Sequence, residues 1–568
     1  MSTQGWSYTC GTSEKPLLGL TIGDMFDQTV ARYPDNVALI ARQQGLRYSY
    51  RQLQAEVDRC ARGLLALGLQ QGERVGIWSP NRAEWTITQF ATAKIGVILV
   101  NINPAYRLHE LEYALTQSGC NLLISAPQFK SSDYTAMLYE LAPELSGATP
   151  GQLHAKRLPL LRGVVRLGAE PSPGMFSWAE LLAGADSVPP EALAERQAAQ
   201  QFDDPINIQY TSGTTGYPKG ATLSHHNILN NGYFVAELMR LSDQDRLVIP
   251  VPLYHCFGMV MGNLGCVTHG ATMIYPSEGF EPLAVLRAVE EERATALYGV
   301  PTMFIAELEH PEFGSFDLSS LRTGVMAGSP CPVEVMKKVQ SVMNMREVEI
   351  CYGMTETSPV STQTRIGAPL EKQVGTVGQV HPHVEVKIVD PISGAMLPMG
   401  QSGELCTRGY SVMLGYWENA EATARAIDAA GWMHTGDLAT MDDEGYLNIV
   451  GRIKDMIIRG GENVYPREIE EFLYSHPKVS DVQVIGLPDH KYGEEIMAWV
   501  KLRPGETADA EEIRAFCRGQ IAHFKIPRYV KFVESFPMTV TGKIQKFLMR
   551  QQSVEELSLE DEAATKMA

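Results

Sequence analysis

The sequence is short of positive charge: 48 lysines and arginines stand against 66 aspartates and glutamates, a formal net charge of −18. A chain this acidic lacks the field that draws in a phosphate backbone, so no nucleic-acid partner is expected. Any anionic substrate must then be met by basic residues acting locally. Cysteine pairing is missing too, because the nine cysteines are scattered and none forms a Cys-x-x-Cys pair. Neither a disulfide framework nor a structural zinc site is therefore expected, and a reducing compartment fits. No apolar run reaches the length that crosses a bilayer, so no transmembrane segment is expected. The stretch Met1–Lys15 holds Glu14, no arginine and no apolar core, unlike a signal or transit peptide. The carboxyl end is not a peroxisomal tripeptide. Together these absences predict a cytoplasmic protein.

What is present is ample apolar material: 44% of the 568 residues are hydrophobic, in a chain too long for one core. Short β-rich runs alternate with helical spacing through the middle. Strands are predicted at Ile206–Tyr210, Arg246–Val251, Ala271–Tyr275, Ala296–Val300 and Val348–Cys351. Between them Ser224 caps a helix running to about Met239, and Leu283, Leu286 and Val289 mark one helix face, as do Val333, Met336 and Val339. This alternation predicts an α/β fold with parallel-type sheets covered on both faces. Ile95–Val100 reads as a buried strand, and residues 141–201, rich in Ala, Pro, Gly and Gln, as a decorated connection or a surface hairpin. After Gly451 the pattern becomes a compact α+β unit, with Pro466 opening a helix and strands at Val482–Ile485, Ile496–Leu502 and Tyr529–Val533. The expected division is a large domain, 1–451, and a small C-terminal domain, 452–568.

The most specific signal is Tyr210–Gly220, YTSGTTGYPKG, directly after a predicted strand. Its glycines and hydroxyls let the backbone wrap a polyphosphate, and Lys219 adds charge. It is not a Walker A loop, since Pro218 replaces the second glycine and Gly220 the Ser/Thr. Further on, Tyr352 offers an aromatic face to a purine, with Gly328 and Ser329 permitting close backbone approach. Taken alone, Tyr352 reads first as core, Glu356 as a solvated or salt-bridged acid, Asp437 and Arg452 as surface, and His255 as a packed core histidine.

The motif set decides between these readings. YTSGTTGYPKG is followed in order by VPLYHCFGM (Val251–Met259), MAGSP (Met326–Pro330), CYGMTET (Cys351–Thr357), HTGD (His434–Asp437), GRIKDMIIRGGENVYPREIE (Gly451–Glu470) and PMTVTGK (Pro537–Lys543). This series resembles the adenylate-forming superfamily of acyl-CoA synthetases, luciferases and peptide-synthetase adenylation domains. Its overall wording, with Ser7–Asp27, is similar to the medium-chain, family-2 acyl-CoA synthetases. The resemblance spans about Leu20 to Arg550.

The resemblance implies an ATP-dependent acyl-CoA synthetase that forms an acyl-AMP and then a CoA thioester. It also implies a large domain with a small β-barrel-like part, and a C-terminal lid. ATP contacts then fall to Thr211, Ser212, Gly213, Thr214, Thr215, Gly216, Tyr217, Pro218, Lys219, Gly328, Ser329, Tyr352, Gly353, Thr355, Asp437 and Arg452. Glu356, with Thr214, takes Mg²⁺. Lys543 is the adenylation lysine, with His255 and Lys219 as further catalytic groups. His255, Phe257, Val300 and Gly353 line the acyl pocket. Lys454 is the hinge, and Gly460 and Gly461 flank the passage for CoA. Acetate-specific relatives have a tryptophan where this chain has Gly353, so a longer acid, of medium chain length, is expected. The partners are the acid, ATP and CoA, with a homodimer left open. The rival readings are a ligase that loads a carrier protein, a ligase for an aryl or branched acid, and an inactive nucleotide-binding regulator.

Overall fold

The helices begin where capping chemistry places them. Ser224 caps His225–Leu238 by accepting from the Asn227 backbone, and the Asn227 side chain reaches back to close a capping box. Pro466 sits in the first turn of Pro466–Tyr474, where its missing N–H has no partner to lose. The computed structural model describes residues 5–211, 218–329, 331–460, 462–539 and 544–559.

Two sheets dominate. One has eight strands, in the order Phe176–Ser177, Gly163–Arg166, Leu122–Ser125, Arg74–Trp78, Ile98–Ile102, Pro205–Thr211, Lys219–Ser224 and Gly415–Tyr416. Its first six strands pair in parallel, and the last two pairings are antiparallel. The other sheet has nine strands, with a parallel centre running through Glu347–Gly353, Thr323–Ala327, Ala296–Gly299, Arg246–Val248, Thr272–Tyr275 and Val37–Ala41. One core cluster takes in both sheets, from Val75 and Leu99 to Leu39 and Tyr298. Helix Ala83–Ile95 is buried nearly all round, as expected of a helix enclosed between layers.

The strands predicted from Ile206 onward appear within a few residues of their predicted ends. Two earlier expectations are revised. Ile95–Val100 is not one strand: helix Ala83–Ile95 ends on Gly96 in the left-handed conformation (φ 68°), and the strand starts at Ile98. The stretch 141–201 is more than a connection, for Gly163–Arg166 joins the parallel sheet beside Leu122–Ser125. A strand of four residues carries too short a pattern to announce itself.

The barrel-like part also needs correction. Tyr8–Cys10, Val384–Val389, Gly403–Gly409, Met433–Met441 and Leu447–Arg452 form a five-stranded sheet whose order has two ends, and no closed barrel occurs among the described residues.

By internal contacts the chain divides into two compact units. One comprises residues 9–386 and 407–433; the other draws on residues 1–8, 387–406 and 434–568. In the second, Gly493–Leu502 pairs with Val479–Asp489, Tyr529–Phe532 and Ile457–Arg459. Ile469, Leu473, Val484, Ile496 and Val500 form its core with Ile513 from helix Ala510–Cys517.

Lys94 carries a charge into the large unit's interior. Its side chain is 3% exposed and its ammonium lies 2.6 Å from Asp27 and 2.7 Å from Asp58. Removing one partner of a fully buried pair costs ~3–5 kcal/mol. Both carboxylates here keep 35% exposure. Lys94→Ala is therefore expected to cost less, about 2–3 kcal/mol, read as a lower urea midpoint with an unchanged slope.

Candidate active site

Three adjacent parallel strands end together. Gly299 pairs in register with Met326, and Ala327 with Cys351, so Val300 and Gly328 follow the carboxyl ends of their strands, while Tyr352 is the penultimate residue of the neighbouring strand Glu347–Gly353. That edge is where open α/β sheets bind ligands. Gly328 takes φ 92°, and a Cβ there would lie 3.1 Å from Val300 Cγ1, so these two predicted residues are in contact range. The Phe257 ring is 5.2 Å from that of Tyr298, two positions before Val300. His255 accepts from the Phe257 N–H at its Nδ1 (3.2 Å), which fixes the imidazole beside the start of Phe257–Leu264. The predicted acyl residues His255, Phe257 and Val300 thus belong to one neighbourhood.

Gly353 has a local reason to be glycine. An added Cβ would sit 1.8 Å from the Pro359 carbonyl oxygen, so the backbone itself forbids a side chain in this arrangement. Thr355 and Glu356 follow on the short helical turn Thr355–Thr357 and are both buried.

The phosphate-loop hairpin is built on Thr211 and Lys219, which face each other across the strands Pro205–Thr211 and Lys219–Ser224. Ser212, Gly213, Thr214, Thr215, Gly216 and Tyr217 lie outside the described residues. The stem is braced from helix Leu108–Ser118: Tyr113 donates to the Pro218 carbonyl at 3.0 Å, and Tyr210 to Gln117 at 2.6 Å. Glu356 meets this stem, its Oε1 accepting from Thr211 at 3.3 Å.

Sequence reasoning missed one member. Tyr416 donates to the same Glu356 oxygen at 2.8 Å, and the Lys219 ammonium lies 5.2 Å from the centre of its ring. Burial, then the adjacent carboxylate, push the phenol well up, so it stays a donor. The signal was Gly415-Tyr416-Trp417, a glycine-aromatic run beyond the CYGMTET motif.

In the other unit, Asp437 and Arg452 stand directly opposite on paired strands, with Arg452 Nε 3.1 Å from Asp437 Oδ1. The HTGD turn is held from the strand Gly403–Gly409. Glu404 accepts from the Gly436 N–H (3.1 Å) and lies 2.9 Å from His434 Nδ1, while Thr435 donates to Leu405. Glu404, Cys406 and His434 hold their donor atoms within 4.8 Å of one another, and this hydrogen bonding accounts for the cluster. Lys454 is an exposed member of the turn Ile453–Asp455. Gly460 has φ 60° and lies against Tyr492. Gly461 and Lys543 are outside the described residues, yet the stem bearing Lys543 is described: Met538 and Ile544 form a bridge, and Gln545 N–H donates to Pro537 at 2.9 Å.

Carboxyl-end placement on a parallel sheet, a glycine-rich motif between two paired strands and a buried carboxylate beside those strands are features that an α/β enzyme acting on a nucleotide would need. The model of the AMP-binding enzyme family matches residues 26–417, and that of the AMP-binding enzyme C-terminal domain matches 468–543. The chain belongs to this family and is a ligase of its acyl-CoA synthetase type. It is similar to YngI of Bacillus subtilis (strain 168), a proposed acyl-CoA synthetase, with 50% identity over 96% of this chain and 99% of that one. It is also similar to the mitochondrial medium-chain acyl-CoA ligase ACSF2 of Danio rerio, with 48% identity over 97% and 91%. Among solved structures it resembles the anthranilate CoA ligase AuaEII in complex with anthranoyl-AMP (TM-score 0.84, 27% identity, covering 96% and 99%). No helix among the described residues is long and apolar enough to cross a membrane.

Proposed function

We propose that this protein converts a medium-chain fatty acid to its CoA thioester through an acyl-adenylate. The observation that carries this reading is the corner formed by Thr211, Lys219 and Glu356, a buried carboxylate beside a lysine-bearing hairpin. A hard dication accepts one carboxylate together with phosphate oxygens, so the donor set fits Mg²⁺. Glu356 would hold the ion, joined by Thr214, and the ion would neutralise phosphate charge. Thr211 and Tyr416 both engage Oε1. Oε2 would then be the oxygen left for the cation.

In this reading Tyr352 and Gly328 flank the adenine, Asp437 accepts the ribose hydroxyls, and Arg452 holds Asp437 in place while meeting ribose or phosphate. The substrate carboxylate attacks the α-phosphorus of ATP in line, and pyrophosphate leaves. Lys543 neutralises the two anions as they approach. The segment from residue 452 then turns about Lys454, withdrawing Lys543, and the CoA thiol attacks the acyl carbonyl with AMP as leaving group. His255, Phe257 and Val300 line the acyl pocket, and Gly460 and Gly461 leave room for pantetheine.

The name of the Danio rerio relative supports medium chain length, as does the absence of a bulky side chain at Gly353. An aryl acid is the second reading, favoured by the likeness to the anthranilate ligase. A reducing, cytoplasmic setting is supported by nine cysteines present as thiols, of which only Cys10 is exposed. The test is AMP release across a panel of straight-chain acids from acetate to palmitate, with benzoate and anthranilate. We expect a maximum at medium chain length and dependence on both acid and CoA. A maximum on an aryl acid would replace the first reading with the second, and acid-independent turnover would overturn both.

A further inference from the structure

The reaction steps set out above give Tyr416 no part beyond its contact with Glu356, yet the fold builds a position for it. It lies on the short edge strand Gly415–Tyr416, where Tyr416 pairs with Ala221, two positions past Lys219. The register is locked on both sides. The Trp417 N–H donates to the Gly220 carbonyl at 2.7 Å, and the Tyr416 N–H to Thr423 Oγ1 at 2.9 Å. Gln117, which already receives the Tyr210 hydroxyl, donates to the Trp417 carbonyl at 2.8 Å. Gly415 adopts φ 145°, and a Cβ there would come within 2.9 Å of Thr423, so the strand approaches helix Ala420–Ala426 only because that residue is glycine.

The side chain so placed does two separate things. Its hydroxyl donates to Glu356 Oε1 at 2.8 Å, and its ring lies 5.2 Å from the Lys219 ammonium. A phenol–carboxylate hydrogen bond fixes which carboxylate oxygen is turned away. The ring face stabilises a cation without neutralising it, which leaves Lys219 its full charge for a phosphate. We propose that Tyr416 is the positioning residue of the phosphate corner, aiming Glu356 Oε2 at the divalent cation through its hydroxyl and carrying the Lys219 ammonium on its ring. This rests on the proposed ATP–Mg²⁺ reading of the corner and deepens it, since it assigns metal and lysine placement to two different parts of one side chain.

Two substitutions separate those parts. Tyr416→Phe keeps the ring and deletes the hydroxyl; Tyr416→Leu deletes both. Binding is measured by calorimetry on the full chain, first with ATP in EDTA and then with Mg²⁺ titrated at fixed ATP, with circular dichroism as the folding control. Tyr416→Phe is expected to raise the Mg²⁺ concentration for half-maximal nucleotide binding roughly tenfold, the loss of a hydrogen bond to a charged group, and to leave metal-free ATP binding unchanged. Tyr416→Leu is expected to add a roughly threefold weakening of metal-free ATP binding. A merely structural tyrosine would shift both quantities together in both variants. Should Tyr416→Phe unfold, Thr211→Val removes the other donor to the same oxygen and is expected to raise the Mg²⁺ requirement likewise. Wild-type Mg²⁺ dependence in the hydroxyl-deleted variants would overturn the role of Tyr416 alone. A wild-type protein that binds ATP equally with and without Mg²⁺ would overturn the corner's assignment and this proposal with it.

Discussion

Lys543→Ala is expected to lower acid-dependent ATP–pyrophosphate exchange by about 10²–10³-fold, the usual cost of one transition-state contact. Thioester formation from supplied acyl-AMP and CoA is expected to continue near the wild-type rate. The reasoning is electrostatic. A carboxylate reaching the α-phosphate brings two anions to van der Waals distance, a repulsion of about 4 kcal/mol at intermediate dielectric. An ammonium between them removes that term for the first half-reaction, whereas attack of a thiol on a carbonyl does not involve it. The substitution leaves its supports intact, because the stem closes through Met538, Ile544, Pro537 and Gln545, none of which it touches. The next helix, Lys546–Glu556, is pinned by Lys546, whose ammonium lies 2.6 Å from Glu470 and 3.1 Å from the Val484 carbonyl. Equal loss of both half-reactions would refute the separation of roles.

Lys454→Pro is expected to give the converse pattern, with pyrophosphate exchange retained and overall thioester synthesis reduced by about 10²-fold or more, the hinge step becoming limiting. Proline fixes φ near −65° and restricts the preceding residue, so a turn that must change conformation between half-reactions loses its freedom. Lys454 suits this test because it is exposed on the short turn Ile453–Asp455, which follows the strand Leu447–Arg452. Quenched-flow traces are expected to show an acyl-AMP burst that does not decay on adding CoA. Normal thioester synthesis would remove the case for a hinge here.

The legible parts of the fold are those written in local chemistry. Ser224, Pro466 and the strand–helix alternation through residues 206–351 specify caps, periods and a parallel sheet from neighbours in sequence. Gly163–Arg166 escaped because its place is decided by pairing with Leu122–Ser125, not by its own pattern. The same contrast holds at the site. Thr211, Lys219, Tyr352, Glu356, Asp437 and Arg452 sit inside motifs whose wording marks them. Tyr416 acts on Glu356 from sixty residues away along the chain, through a hydrogen bond that only the edge-strand register creates. Gly353 was read from the sequence as room for an acyl chain, whereas its backbone necessity was not legible, for the Pro359 carbonyl that crowds it arrives by the fold of the following turn.

The most direct measurement follows one oxygen atom. Turnover with a carboxylic acid labelled with oxygen-18 in its carboxyl group, together with ATP and CoA, is analysed by mass spectrometry of the products. If the carboxylate attacks the α-phosphorus and the thiol then displaces AMP, one labelled oxygen per turnover leaves in AMP, and pyrophosphate stays unlabelled. Label in phosphate or pyrophosphate, or unlabelled AMP accompanying thioester, would contradict an acyl-adenylate.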